Sequence, residues 1–98
     1  MVYYDIDGNP IDAEEWARLF NEDRVIGSDY LGDVHVSTVW LGLDHSFGGK
    51  KPLIFETMVF GLEEDELQWR YSTKKEAIKG HKEAVESVRR TLDKMLKI

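Results

Sequence analysis

The chain has 98 residues, 42% of them hydrophobic and 33% charged, with no cysteine and a formal net charge of −6. That size and composition fit one globular domain, residues 1–98, and exclude a chain that is disordered throughout. The absence of cysteine excludes a disulfide framework, a thiolate nucleophile and a cysteine zinc site.

The opening MVYYDIDG has neither basic residues nor an apolar run, so no secretion signal is expected. No 18-residue apolar stretch is present to span a membrane. A cytoplasmic setting is the expectation. Val2–Tyr4 reads as a short strand, and Asp5-Ile6-Asp7-Gly8-Asn9-Pro10 as a turn. Asp5, Asp7 and Asn9 alternate as in the opening of a calcium loop. The glycine comes too early, however, and Trp16 stands where the closing glutamate belongs. The turn is the better reading.

Asp12 with Glu15 forms a capping box, and Ile11 with Trp16 fits a hydrophobic staple. They predict a short helix over 13–20 with Trp16, Leu19 and Phe20 inward and a Glu14–Arg18 pair outside. Arg24 to Tyr30 is a weak strand, interrupted by Gly27 and turned at Leu31-Gly32-Asp33. The run Val34 to Phe60 holds two stretches rich in β-branched and aromatic residues, joined by LDHSFGGKKP. This is a long hairpin at the centre of a sheet. Neither arm alternates cleanly, so each is expected to bury parts of both faces. After the acidic run Glu63-Glu64-Asp65-Glu66, an exposed loop, Leu67–Tyr71 alternates with period 2.

Thr73 with Glu76 caps a long final helix, on which Ala77, His81, Ala84, Val85, Val88, Leu92 and Met95 or Leu96 form a buried stripe. The order is β-α-β-β-β-β-α. The predicted fold is α+β: an antiparallel sheet of four to five strands, a short N-terminal helix and a long C-terminal helix packed on the sheet.

Charge is divided along the chain. Residues 1–66 carry 15 acids against 4 bases, whereas residues 67–98 carry 4 acids against 9 bases. An acidic surface of this kind steers a basic partner or complements the basic helix of a second copy. The final helix interleaves its bases with Glu76, Glu83, Glu86 and Asp93, so direct nucleic-acid binding is not expected.

Chemistry-bearing residues are few. His45 sits at the hairpin bend with Asp44, Gly48, Gly49 and Lys50, where glycine amides and a lysine could form an anion-binding corner. This does not match a phosphate loop, because Pro52 and a strand follow rather than a helix. His81 lies on the apolar stripe beside Gly80, whose presence inside a helix points to close packing on the sheet. A core-edge histidine donating to a carbonyl or carboxylate is the plainer reading of it. Glu56 stands within the most hydrophobic strand and, if buried, needs a partner such as His35 or Arg70. His45, Glu56 and His81 are thus weak catalytic candidates. The binding candidates are Asp44, His45, Gly48, Gly49, Lys50, Trp40 and the acids Glu63, Glu64, Asp65 and Glu66. No metal-ligand spacing or nucleophile elbow is found, and no cofactor is implied.

The stretches YYDIDGNPI (3–11), VSTVWLGLDH (36–45), IFETMVFG (54–61) and YST-x-x-EA-x-x-GH (71–81) together resemble a type of small uncharacterised protein encoded by bacteriophages, prophages and some actinobacteria. The resemblance covers most of the chain and carries no assigned activity. It implies a phage or prophage accessory product working in the host cytoplasm. The leading expectation is therefore a small acidic module that acts by contact with a host or phage protein, or with a second copy of itself. The alternative is a small ligand-binding domain or enzyme using His45 with Glu56 or His81.

Overall fold

The computed structural model describes residues 2–44, 51–62 and 67–96. Its elements are β1 (Tyr3–Tyr4), β2 (Pro10–Ile11), α1 (Ala13–Phe20), β3 (Val25–Leu31), β4 (Val34–Trp40), β5 (Phe55–Phe60), β6 (Leu67–Tyr71) and α2 (Lys74–Leu96). β3-β4-β5-β6 is a four-stranded antiparallel sheet in sequence order, and β1-β2 forms a separate two-stranded ribbon. This is the α+β arrangement expected. The first strand pairs with Pro10–Ile11 rather than joining the main sheet, and a bridge from Tyr3 to Leu43 with the Tyr4 N–H donated to Gly42 O ties it to the chain leaving β4.

The turn before β2 explains that pairing. Asp5 Oδ1 accepts from the backbone N–H of Asp7 and of Asn9, at 3.0 and 2.8 Å. Its carboxylate is spent on closing the chain back on itself, as aspartate commonly does in turns. α1 starts where Asp12 Oδ1 accepts from the Glu15 N–H at 2.8 Å. The outer pairing differs from the Glu14–Arg18 expected: Arg18 instead bridges Glu15 and Glu22. At α2 the box is reciprocal, Thr73 Oγ1 accepting from the Glu76 N–H and Glu76 Oε1 from the Thr73 N–H. Such caps are worth about 1 kcal/mol.

Of the two hairpin arms expected to bury parts of both faces, β5 does so, with Glu56 buried between Phe55 and Thr57, whereas β4 alternates without exception. Val34, Val36, Thr38 and Trp40 are buried, while His35, Ser37 and Val39 are half-buried. The register places Val36 opposite Val59, Thr38 opposite Thr57 and Trp40 opposite Phe55, so all six share one face. α2 lies on that face through Ala77, His81, Ala84 and Val88. α1 closes the same layer at the Trp40 end, where Trp16, Leu19 and Phe20 pack on Trp40, Ile54, Phe55 and Ala77. Two clusters result, one under each half of the sheet, with polar residues between them. At about 1.5 Å per residue α2 runs some 35 Å, longer than the strands it crosses. Its last apolar residues therefore overhang: Met95 and Leu96 are exposed rather than continuing the buried stripe.

No helix among the described residues is long and apolar enough to cross a membrane.

Candidate functional site

Between the two apolar clusters the shared face carries hydroxyls. Thr38 and Thr57 are both fully buried, and their Oγ1 atoms lie 2.5 Å apart. His81 reaches down from α2 to place Nδ1 2.7 Å from Thr38 Oγ1 and Nε2 2.6 Å from Asp29 Oδ2 on β3. The Asp29 carboxylate only accepts, so Nε2 carries the ring proton. In the neutral ring Nδ1 then accepts from Thr38, and Thr38 in turn accepts from Thr57. The chain of bonds runs in one direction, from the buried threonines out to a half-exposed carboxylate.

Two glycines make room for it. A Cβ on Gly27 would lie 2.8 Å from the His81 ring, and a Cβ on Gly80 would run into the Tyr71 ring. The expectation that Gly80 marks close packing of helix on sheet, with His81 bonded to a carboxylate, therefore matches the geometry. The set Asp29–His81–Thr38 has the composition of a hydroxyl-activating triad. Its hydroxyl, however, is at 0% exposure, sealed beneath α2 where no substrate meets it. What the arrangement does is satisfy buried polar groups and fix the helix on the sheet.

Tyr71 sits at the edge of this layer. Partial burial pushes its phenol above the ordinary value of 10.0, its side-chain hydrogen bond with Thr57 opposes that rise, and the Glu83 carboxylate adds to it. A raised phenol favours the neutral form in the folded state. Its contribution is therefore complete below the unfolded value near 10 and is lost as pH rises through the folded one. Urea unfolding followed from pH 8 to 11.5 is expected to show stability falling above pH 10, with a shallower fall in Tyr71→Phe. Equal slopes in the two proteins would reject this assignment.

The opposite face of the sheet carries the other candidates. Glu56 is nearly buried there, its Oε2 accepting from Gln68 Nε2 at 2.8 Å and from Arg70 Nε at 3.1 Å. Arg70, one of the two partners anticipated, neutralises it. Glu56 pairs in register with Val39 and His81 contacts Thr38, so these two candidates lie on opposite sides of the sheet and share no site. Trp40, read as a contact residue, is placed in the core at 4% exposure. Asp44 accepts from the Leu53 N–H at 3.0 Å, which ties the two ends of the hairpin loop. His45, Gly48, Gly49, Lys50 and the acids Glu63, Glu64, Asp65 and Glu66 lie outside the described residues. Among the described residues no three histidine or acidic side chains are grouped to hold a metal ion.

At the far end of that open face is a row the sequence reading did not assemble. Tyr30, 71% exposed, stacks on His35 with ring centroids 4.2 Å apart and planes 3° from parallel. His35 meets Phe60, 40% exposed, at 6.1 Å, and its Nε2 lies 2.8 Å from Ser28 Oγ. The three residues come from three neighbouring strands in direct register. Only the register reveals them, since Tyr30 and Phe60 are 30 positions apart. Comparisons with protein-family models, curated proteins and solved structures return no match to this chain.

Proposed function

We propose that this protein is a small binding module that works by protein contact, as an accessory product of the phage type its sequence resembles. The observation that carries this reading is the open sheet face with its Tyr30–His35–Phe60 row. Exposed aromatics held rigid by stacking are the residues from which interface anchors are made. The candidate acid–base groups offer no rival focus, since Glu56 and His81 stand on opposite faces of the sheet.

The occupant we propose is a different protein rather than a second copy. Four strands at about 4.8 Å spacing and some 20 Å in length offer a footprint of roughly 400 Å². A standard interface takes about 800 Å² from each partner, so two such faces stacked alone bury too little. A larger partner reaching past the sheet edge makes up the difference.

The test is affinity capture from a bacterial lysate, followed by reconstitution with the purified partner and a measurement of mass in solution. The wild-type protein is expected to be a monomer alone and to hold one stoichiometric partner. Tyr30→Ala/Phe60→Ala should weaken that complex about thirtyfold, the scale of a hot-spot loss near 2 kcal/mol. Unchanged affinity in the double variant, or a dimer that the variant dissociates, would overturn the reading.

A further inference from the structure

β3 and β6 are the two edges of the main sheet, and an edge strand leaves every second residue's backbone groups without a ladder partner. The phase of the ladder says which. Tyr71 turns its carbonyl inward to accept from the Ile54 N–H at 2.9 Å. Backbone groups alternate in direction along a strand, so those of Leu67, Trp69 and Tyr71 serve β5, and those of Gln68 and Arg70 point away from the sheet. The rest of the sheet agrees: the Leu41 N–H goes to Ile54 O at 2.7 Å and the Trp40 N–H to Arg24 O at 2.9 Å, as that phase requires. β3 is interrupted by a bulge between Val25 and Gly27, a device that turns an edge away from further pairing. β6 keeps one register over its five residues and has no proline. It is the open edge.

A groove runs beside it. A cavity of about 280 Å³ lies between β6 and α2, walled by Trp69 and Tyr71 on the strand and by Gly80, Ala84, Ser87 and Arg90 at three- and four-residue steps on the helix. The helix closes on the strand at Gly80, where a Cβ would run into the Tyr71 ring, and the small side chains of Ala84 and Ser87 leave space further along. Trp69, in the strand wall, is 38% exposed. Arg90 is exposed and makes no ion pair or hydrogen bond among the described residues. The charges around it are committed: Arg89 to Glu86, Arg70 to Glu56, and Glu83 to Lys79 at 3.9 Å.

We propose that this groove receives an extended acidic segment of a partner protein, which adds to the main sheet as a further strand beside β6. The outward N–H and C=O groups of Gln68 and Arg70 ask for a donor and an acceptor together at strand spacing, and another extended main chain supplies both. Arg90 is a cation without a counter-ion, and residues 67–98 carry 9 bases against 4 acids, so the charge asked for is negative. Side chains of the added strand alternate between faces, and every second one falls beside Trp69 into the groove. An apolar one covers Ala84, and an acidic one two positions on meets Arg90. The groove is on the helix side of the sheet, so it does not depend on the Tyr30–His35–Phe60 row on the other face.

The experiment is a titration of the ¹⁵N-labelled protein with acetyl-Thr-Val-Thr-Val-Thr-Asp-Thr-amide, reading the backbone amides of Gln68 and Arg70. Both are expected to shift saturably and to exchange with solvent about tenfold more slowly in the complex. Two further peptides carry N-methyl groups, one on its threonines and the other on its valines and aspartate. An added strand turns only one of these sets of N–H groups toward β6, so one peptide should lose binding and the other keep it. Arg90→Gln in the protein and asparagine for aspartate in the peptide should each weaken binding about threefold, and the two together no more than either alone. Amides of Gln68 and Arg70 that stay in place, equal binding of the two methylated peptides, or losses that multiply when the two charge changes are combined would each overturn the proposal. Tyr30→Ala/Phe60→Ala should leave peptide binding unchanged, so failure here and failure of the contact reading are separate results.

Discussion

His81→Ala is expected to lower the free energy of unfolding by about 3 kcal/mol, a large share of the stability of a domain this size. Two losses combine. The ring is 7% exposed and wedged between α2 and the sheet against Gly27, so its removal leaves a cavity that β3, with no side chain at Gly27, does not fill. Thr38 also loses the partner for its hydroxyl while remaining at 0% exposure, and a buried donor without an acceptor costs about 1–3 kcal/mol. Asp29 adds little, because its side chain is 55% exposed and water takes the place of the imidazole. The same reasoning sets an internal control. His81→Leu combined with Thr38→Val and Thr57→Val removes the three buried members of the chain and refills the space with apolar groups. It should recover much of the loss, since buried polar groups removed together leave none of their own set unsatisfied, and the half-buried Tyr71 hydroxyl, which gives up Thr57, has water in reach. Urea unfolding at pH 7 measures both, with the slope unchanged if only stability moves. A triple variant less stable than His81→Ala would show that the hydrogen bonds themselves, and not their satisfaction, hold the helix down.

Gly42→Ala is expected to cost a similar amount, about 3 kcal/mol, for a different reason. Gly42 has φ of +70°, and a Cβ there would lie 2.5 Å from the Trp40 ring and 2.6 Å from Trp16 Nε1. Neither indole can retreat. Trp16 is anchored by its bond to Leu41 O, one residue away, and by Tyr3 and Phe20 on its two sides. Trp40 is buried against the edge of Phe20. The substitution therefore pays backbone strain of about 1 kcal/mol and overpacking of about 2 kcal/mol together. Gly32→Ala separates the two contributions. Gly32 has a comparable φ of +62° with nothing within 4 Å of the position a Cβ would take, so it should lose only the backbone part. Unfolding curves that put the two alanine variants at equal stability would reject the packing argument. Near-ultraviolet circular dichroism should change in Gly42→Ala alone, because only there are tryptophans displaced.

The two substitutions act at different points of the helical layer, one at its middle and one at the Trp40 end, and both act at glycine-sized gaps. Gly27, Gly42 and Gly80 each admit a ring: His81, the indoles of Trp16 and Trp40, and Tyr71. Rings larger than the gap between sheet and helix are accommodated by removing a Cβ opposite them. The layer is consequently intolerant of small additions at those positions, as close-packed interiors are.

Much of this protein was decided locally and was legible in the residues alone. Asp12 and Thr73 mark the helix starts because the bonds they accept span three residues. The alternation of Leu67, Trp69 and Tyr71 gives β6 its faces, and the three- and four-residue spacing of Ala77, His81, Ala84 and Val88 gives α2 its buried stripe. Those signals have the period of the element that carries them, so a single strand or helix suffices to display them. What required the tertiary structure is everything set by strand register. Asp29 and Thr38 became the partners of His81, 52 and 43 residues away, once β3, β4 and α2 met. Tyr30, His35 and Phe60 became one surface by pairing across three strands. Glu56 and His81, both prominent in the sequence, were parted because α2 sets His81 on the Thr38–Thr57 face, and Glu56, one position from Thr57 on β5, belongs to the other. The Trp40 indole, conspicuous as an aromatic in the chain, was drawn inside by Trp16 and Phe20 of α1. Side-chain period is written along a segment, but register and the choice of covered face are settled between segments, by which pairing buries the most apolar surface.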